Sequence, residues 1–328
     1  MSDPVADLRT EFSSAGVRSP TAFIVGAPKC ATTSMAEALS RHPSVFMSPV
    51  KEPHRFGQDL PELRVRPLMS SSEYVELFRG ATDQPVLAEA SVWTMRSASA
   101  AREIRAFEPN ARIIIMLRDP VDLLASLHGE LCRAGVEDIL DLRAALEAES
   151  DRRAGRRIPA GVERHGQLLY SEAVAFPEQV ERFIDGFGRS AVHVVLYDEV
   201  RADPSSVMTG LQRFLGIQER PELRLARSNV GRVVRSARLQ RFARQAGRVR
   251  RVTRRLVPAG ARPRLARRVV DTIERVNLDP SARPALPSDL EGELRERYRD
   301  SVEQLATILQ LDLSAWTLAA GRAQPSYE

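Results

Sequence analysis

The sequence predicts an α/β fold in which a central parallel sheet is flanked by helices and followed by a helical C-terminal region. Three observations carry this expectation. Short apolar, β-branched runs at residues 21–26, 112–117 and 192–197 have the composition of buried strands. Each run is followed by a loop and then by helical features, the alternation that builds parallel sheets with helices on both faces. From about residue 224 onward strand formers become scarce and arginine dense.

Taken in order, the first run ends at Gly26. The segment Ala27-Pro28-Lys29-Cys30-Ala31-Thr32-Thr33-Ser34 then reads as a loop entering a helix, with Met35, Ala38 and Leu39 at helical spacing. Ile104 and Phe107 mark a second helix, broken by Glu108-Pro109-Asn110 before the strand at 112–117. Arg118-Asp119-Pro120 opens the next helix, with Asp119 as N-cap and Pro120 in its first turn. After the strand at 192–197, Asp203-Pro204 starts a helix that ends near Phe214-Leu215-Gly216.

In the arginine-rich segment, Arg235, Arg238, Arg241, Arg244 and Arg248 share one helical face, and Leu239, Phe242 and Val249 are available for burial. This reads as a solvated helix or a basic wall over a phosphate-bearing ligand. The lack of interleaved aromatic residues argues against a nucleic-acid partner. The stretch from Leu294 to Trp316 reads as one amphipathic helix, and residues 280–287 as a proline-rich linker. The 328 residues are read as a single domain, with a core at about 21–232 and helical segments at about 233–328.

Composition narrows the classes. A chain that is 43% hydrophobic is globular, and its net charge of +5 suits an anionic partner. The start lacks the features of a signal peptide and no apolar run is long enough to span a bilayer, so a cytoplasmic protein is expected. Two cysteines, Cys30 and Cys132, make no disulfide framework, and no Cys/His cluster has zinc spacing, so no metal is expected. Of 48 basic residues only two are lysine, Lys29 and Lys51. Both fall within short polar segments where a compact ammonium does what a planar guanidinium does not.

A loop between a buried strand and a helix N-terminus is an anion site by construction. A Walker A loop, however, requires G-x-x-x-x-G-K-[ST]. Counted from Gly26, Ala31 stands at the second glycine and Thr32 at the lysine, so Lys29 comes three positions early. This weighs against a P-loop kinase or nucleotide phosphohydrolase, as does Arg118 at the end of its strand, where an acidic magnesium ligand is expected. A phosphatase-type C-x5-R motif starting at Cys30 fails at Ala36.

The segment from Pro28 to Ser34 instead resembles the 5′-phosphosulfate loop of sulfotransferases that use 3′-phosphoadenosine 5′-phosphosulfate (PAPS). Lys51-Glu52-Pro53-His54-Arg55-Phe56 is similar to the Lys-Glu-Pro-His-Phe-Phe segment of bacterial members related to the heparan sulfate enzymes, departing only at Arg55. Arg118 and Ser126 resemble that family's 3′-phosphate pair, and Tyr197 its adenine contact. The segment Ser228-Asn229-Val230-Gly231-Arg232 looks like the late loop that closes over the 3′-phosphate.

The resemblance implies a P-loop-like fold and a PAPS donor held by Lys29, Cys30, Ala31, Thr32, Thr33, Ser34, Arg118, Ser126, Tyr197, Gly231 and Arg232. It implies transfer to a hydroxyl or amine of a small molecule, carbohydrate or lipid. Glu52 is the expected general base, its pKa raised by burial, with His54 as its rival, and Lys29 neutralises the transferring group. Glu89-Ala90-Ser91-Val92 stands where relatives often read Glu-Lys-Thr-Pro, so one acceptor-side lysine is absent. Acceptor specificity is expected after Glu52, around residues 89–95, and at 136–167. A non-enzymatic binder of anionic ligands is the alternative from another class.

Overall fold

The computed structural model describes residues 4–63, 69–225, 233–236, 239, 277–279 and 286–318. Most of the arginine-rich segment, the late loop at 228–232 and most of the proline-rich stretch lie outside the described residues. The elements in chain order are α1 (Pro4–Ala15), β1 (Ala22–Gly26), α2 (Thr32–Leu39), β2 (Val45–Met47), α3 (Ser71–Glu76), β3 (Val86–Ala90), α4 (Ala100–Phe107) and β4 (Arg112–Leu117). There follow α5 (Pro120–Arg133), α6 (Leu142–Glu147), α7 (Glu149–Arg153), α8 (Tyr170–Ala173), α9 (Phe176–Phe187), β5 (Val192–Leu196), α10 (Tyr197–Ala202) and α11 (Pro204–Leu215). A C-terminal helix runs over Ser288–Leu309.

The chain forms two compact units. The first comprises Met1–Leu123, Glu172–Ser228 and Arg295–Leu318 and contains the sheet. Its five strands are ordered β2-β3-β1-β4-β5 and every pairing is parallel. The centre is β1, which pairs Ala22 with Ala88 on one side and with Arg112 on the other. All five residues of β1 and β3 are buried, as strands covered on both faces require. Because the strands run the same way, the loops leaving β1, β3 and β4 emerge at one carboxyl edge, where open α/β sheets bind ligands.

Packing against this sheet is largely aromatic. Phe12 of α1 meets Tyr74, Phe78 and Phe107, and Phe56 bridges Tyr74, Phe107 and Phe23 of β1. At the start of α11, Asp203 accepts from the backbone N–H of Ser205 and Ser206, and Gly216 at φ 69° ends the helix, both as the sequence indicates. The C-terminal segment differs from a single helix over 294–316. The helix starts at Ser288 and stops at Leu309, Gln310 turns the chain at φ 55°, and a separate 3₁₀ turn spans Ser314–Trp316.

The second unit comprises Leu124–Ser171, Asn229–Leu294 and Ala319–Glu328. It is organised around the fully buried carboxylate of Glu137. That carboxylate accepts from Arg152 at 2.7 Å, from the Tyr170 hydroxyl at 2.8 Å, and from the backbone N–H of Asp138 and Ile139. Such saturation is what allows a charge to sit without water. His128 is a core residue of the same unit, its Nε2 2.8 Å from the Ile139 carbonyl oxygen. Among the described residues no helix is long and apolar enough to cross a membrane.

Candidate active site

The site is assembled at the carboxyl edge of the first unit's sheet. A register shift between Ile24 and Gly26 turns β1 out of the sheet, and Ala27 N–H donates to the Met116 carbonyl of β4 at 2.6 Å. Gly26 is required by close approach: a Cβ there would lie 2.6 Å from Cβ of Met95. Lys29 and Ala31 then adopt left-handed backbone angles, φ 64° and 63°. This double turn aims the chain into α2, whose N-cap is Ala31 with no side-chain cap. First-turn amides without a capping side chain, at the positive end of a helix, are the backbone half of an anion cradle.

The side chains of this loop divide by burial. Thr32 and Ser34 are buried, whereas Lys29, Ala31 and Thr33 are half-buried at the loop surface. Cys30 is completely buried, with its thiol donating to the Pro28 carbonyl at 3.4 Å. Burial pushes this thiol up to about 12, against the nearby positive charges of Arg118 and Lys29. It is therefore a packed small side chain without nucleophilic character.

The second part of the site is the turn after β2, anchored on β3. Glu52 N–H donates to the Ala90 carbonyl at 2.8 Å, and His54 N–H donates to Ser91 Oγ at 3.1 Å. Glu52 and His54 also have positive φ, 58° and 50°. Left-handed geometry at non-glycine residues costs about 1–3 kcal/mol each and persists where the surroundings over-determine it. Here it turns both side chains onto one another. The Glu52 carboxylate accepts from Lys51 Nζ at 3.1 Å, and His54 Nε2 lies 3.3 Å from its other oxygen.

This arrangement corrects the expectation of a raised Glu52 pKa. Burial does push the carboxyl up, and is the largest single influence. The close approach of His54 and the hydrogen-bonded positive charge of Lys51 together outweigh it, leaving Glu52 below the ordinary carboxylate range. Glu52 is thus an ionised, half-buried acceptor. Burial does raise the carboxyl of Glu89 of β3, to about 7, opposed by the Ser91 hydrogen bond and reinforced by the negative charge of Glu52.

The third part follows β4. Arg118 is half-buried, its guanidinium stacked 4.6 Å from the ring centroid of Tyr197, with a long contact of 3.5 Å to Asp122. Asp119 caps α5 through Val121 N–H at 2.9 Å, as the Asp-Pro signature indicates. Ser126 is half-buried on α5, in the portion that belongs to the second unit. Gly231 and Arg232 lie outside the described residues.

Of the sequence-derived residues, the structure brings Lys29 through Ser34, Glu52, His54, Arg118 and Tyr197 to one sheet edge. Sequence reasoning missed the roles of Glu89 and Ser91 beneath the Glu52 turn. The available signal was a glutamate flanked by apolar residues, Val86-Leu87-Ala88-Glu89-Ala90, where a buried charge is rare without a task.

An open parallel sheet with a lysine-bearing loop between its central strand and a helix N-terminus, and an arginine after the neighbouring strand, is an arrangement found in α/β proteins that handle phosphate-bearing ligands. Within that class, residues 19–233 match the sulfotransferase domain, and the chain belongs to the sulfotransferase family. Human carbohydrate sulfotransferase 15 is 34% identical, the match covering 33% of this chain and 26% of that protein. The bifunctional heparan sulfate N-deacetylase/N-sulfotransferase 1 of Caenorhabditis briggsae is 24% identical across 62% of this chain and 23% of its own length. The chain thus spans about a quarter of the curated relatives it matches. The crystal structure of a sulfotransferase from Alicyclobacillus acidocaldarius superposes with a TM-score of 0.66 at 26% identity, covering 92% of this chain and all of that one.

Proposed function

We propose that this protein transfers a sulfuryl group from PAPS to a hydroxyl or amine on a carbohydrate-type acceptor. One observation carries the reading: the Lys29 loop leaves β1, and the Glu52 turn that follows β2 is hydrogen-bonded to the end of β3, the strand paired in parallel with β1. A group bound at one is therefore within reach of the other. The carbohydrate relatives supply the acceptor class.

In this reading the uncapped amides of α2, with Thr32, Thr33 and Ser34, hold the 5′-phosphosulfate, and Arg118 holds the 3′-phosphate. Arginine suits a fixed phosphate because its fork donates twice. Tyr197, already covered by the Arg118 guanidinium, presents an aromatic edge to adenine. The acceptor oxygen or nitrogen attacks sulfur and gives its proton to Glu52. The bond from sulfur to the bridging oxygen breaks, and its electrons leave on the 5′-phosphate of adenosine 3′,5′-bisphosphate (PAP). Lys29 follows that oxygen as charge develops, a task for a compact and movable ammonium.

The deciding experiment compares thermal stabilisation by PAP with that by ATP and magnesium, then transfer of labelled sulfate to oligosaccharides by wild type and Lys29→Ala. Stronger stabilisation by PAP, with transfer lost in Lys29→Ala, is the expected result. Equal or greater stabilisation by ATP and magnesium refutes the donor assignment.

A further inference from the structure

Two polar contacts connect the end of the chain to the third part of the site. Arg295, in the C-terminal helix, is nine-tenths buried, and its Nη1 donates both to Asp119 Oδ2 at 2.9 Å and to the Trp316 carbonyl at 2.8 Å. The indole N–H of Trp316 donates to Asp198 Oδ2 at 2.8 Å. Asp119 directly follows Arg118, and Asp198 directly follows Tyr197, the pair whose guanidinium and ring stack at 4.6 Å. One buried arginine and one buried indole therefore tie together the backbone beneath both members of that stack.

The geometry constrains more than either contact alone. Asp119 divides its carboxylate, one oxygen capping α5 and the other taken by Arg295, which fixes the turn on which Arg118 sits. Asp198 stands in the first turn of α10, directly after the tyrosine. Arg295 in turn holds the 3₁₀ turn that carries Trp316, so the clamp is a closed circuit: Arg118 turn, Arg295, Trp316, Tyr197 turn. All these residues lie in the first unit, and Arg295 and Trp316 lie beyond the matched family segment, which ends at 233.

We propose that Arg295 and Trp316 are positioning residues for the donor site, holding the Arg118 and Tyr197 stack in the geometry that grips the 3′-phosphate end of PAPS. This rests on the donor reading given above. Neither residue touches the ligand. Their effect is to remove the freedom of the stacked pair before binding, so that less ordering is left for the ligand to impose.

The test is direct titration of PAP and of 5′-AMP, which lacks the 3′-phosphate, against wild type, Trp316→Phe, Arg295→Met and Arg295→Lys. Circular dichroism checks that each is folded at the assay temperature. Trp316→Phe keeps a buried aromatic ring and removes the N–H donor together with part of the ring volume, and the comparison of PAP with 5′-AMP separates a general loosening from a specific one, so it decides the matter even if Arg295→Met fails to fold. The dissociation constant for PAP is expected to rise about tenfold in Trp316→Phe, in line with one lost hydrogen bond to a charged group. That for 5′-AMP should change less, so the preference for PAP narrows, and Arg295→Lys should recover part of the loss seen in Arg295→Met. Unchanged PAP affinity, or equal weakening toward both nucleotides, overturns the inference. A wild type that does not prefer PAP to 5′-AMP defeats the donor reading itself, a distinct result.

Discussion

The hydroxyl of Ser91 donates to the buried carboxyl of Glu89 at 2.8 Å while accepting the backbone N–H of His54, so a residue of the sheet interior supports the turn that carries Glu52. The carboxyl at the base of this support has its pKa lifted by burial from 4.5 to about 7. In the folded protein it keeps a proton that the unfolded chain releases near pH 4.5. Folding stability from this group is therefore present at low pH and declines as pH rises from about 4.5 to 7, by roughly 3 kcal/mol. Glu89→Gln, which can still accept from Ser91, should remove that decline. Urea unfolding of both proteins from pH 5 to 8 measures it, and a wild-type-to-variant difference that is constant with pH would contradict the assignment.

Glu52 is ionised and faces both Lys51 and His54, which makes its removal a test of proton transfer more than of folding. Glu52→Gln is expected to lower kcat for sulfate transfer by about 10²- to 10⁴-fold, the range for a positioned base. PAP affinity should stay within about twofold of wild type. Full transfer by Glu52→Gln would move the base to His54, which a parallel His54→Asn measurement would then show.

Neither cysteine should react in the native state. Burial raises both thiols, Cys30 to about 12 and Cys132 further, and both are buried. Labelling by an aromatic disulfide reagent at pH 8 is expected only after denaturant is added. Rapid native labelling that is blocked by PAP would show the donor loop opening in a way the Pro28 contact does not permit.

In the second unit, Arg152 and Glu137 are both fully buried at 2.7 Å. Arg152→Met leaves the Glu137 carboxylate dry with one partner fewer, and a loss of about 3–5 kcal/mol is expected. Glu137→Gln with Arg152→Met removes both charges and should recover part of it. A double-mutant cycle by chemical denaturation gives the coupling, and strict additivity would mean that the pair contributes nothing beyond its separate contacts.

The sequence disclosed the fold class through the apolar runs of β1, β4 and β5, buried throughout in β1 and after Arg112 in β4 and partly in the edge strand β5, and through Asp119-Pro120 and Gly216, which mark helix ends by local chemistry. It hid β2 and β3. Residues 45–47 are too short for periodicity to register, and residues 86–90 carry alanines and a glutamate whose burial depends on neighbours far along the chain. The site was legible where motifs are contiguous, as at 28–34 and 51–56. It was illegible where geometry sets the electrostatics: nothing local says that His54 lies 3.3 Å from Glu52 and, with Lys51, pulls its pKa below normal. The clamp of Arg295 and Trp316 was equally hidden, because its partners are 176 and 118 residues away.

The contact between Gly26 and Met95 joins the donor loop to the stretch after β3 expected to shape acceptor choice. A Cβ built on Gly26 would lie only 2.6 Å from the Met95 Cβ, so the two segments meet with no room for a side chain at position 26. Met95 belongs to the 89–95 stretch, so a bulkier residue there, like any side chain at position 26, would have to displace the exit of β1, and the two positions are constrained together.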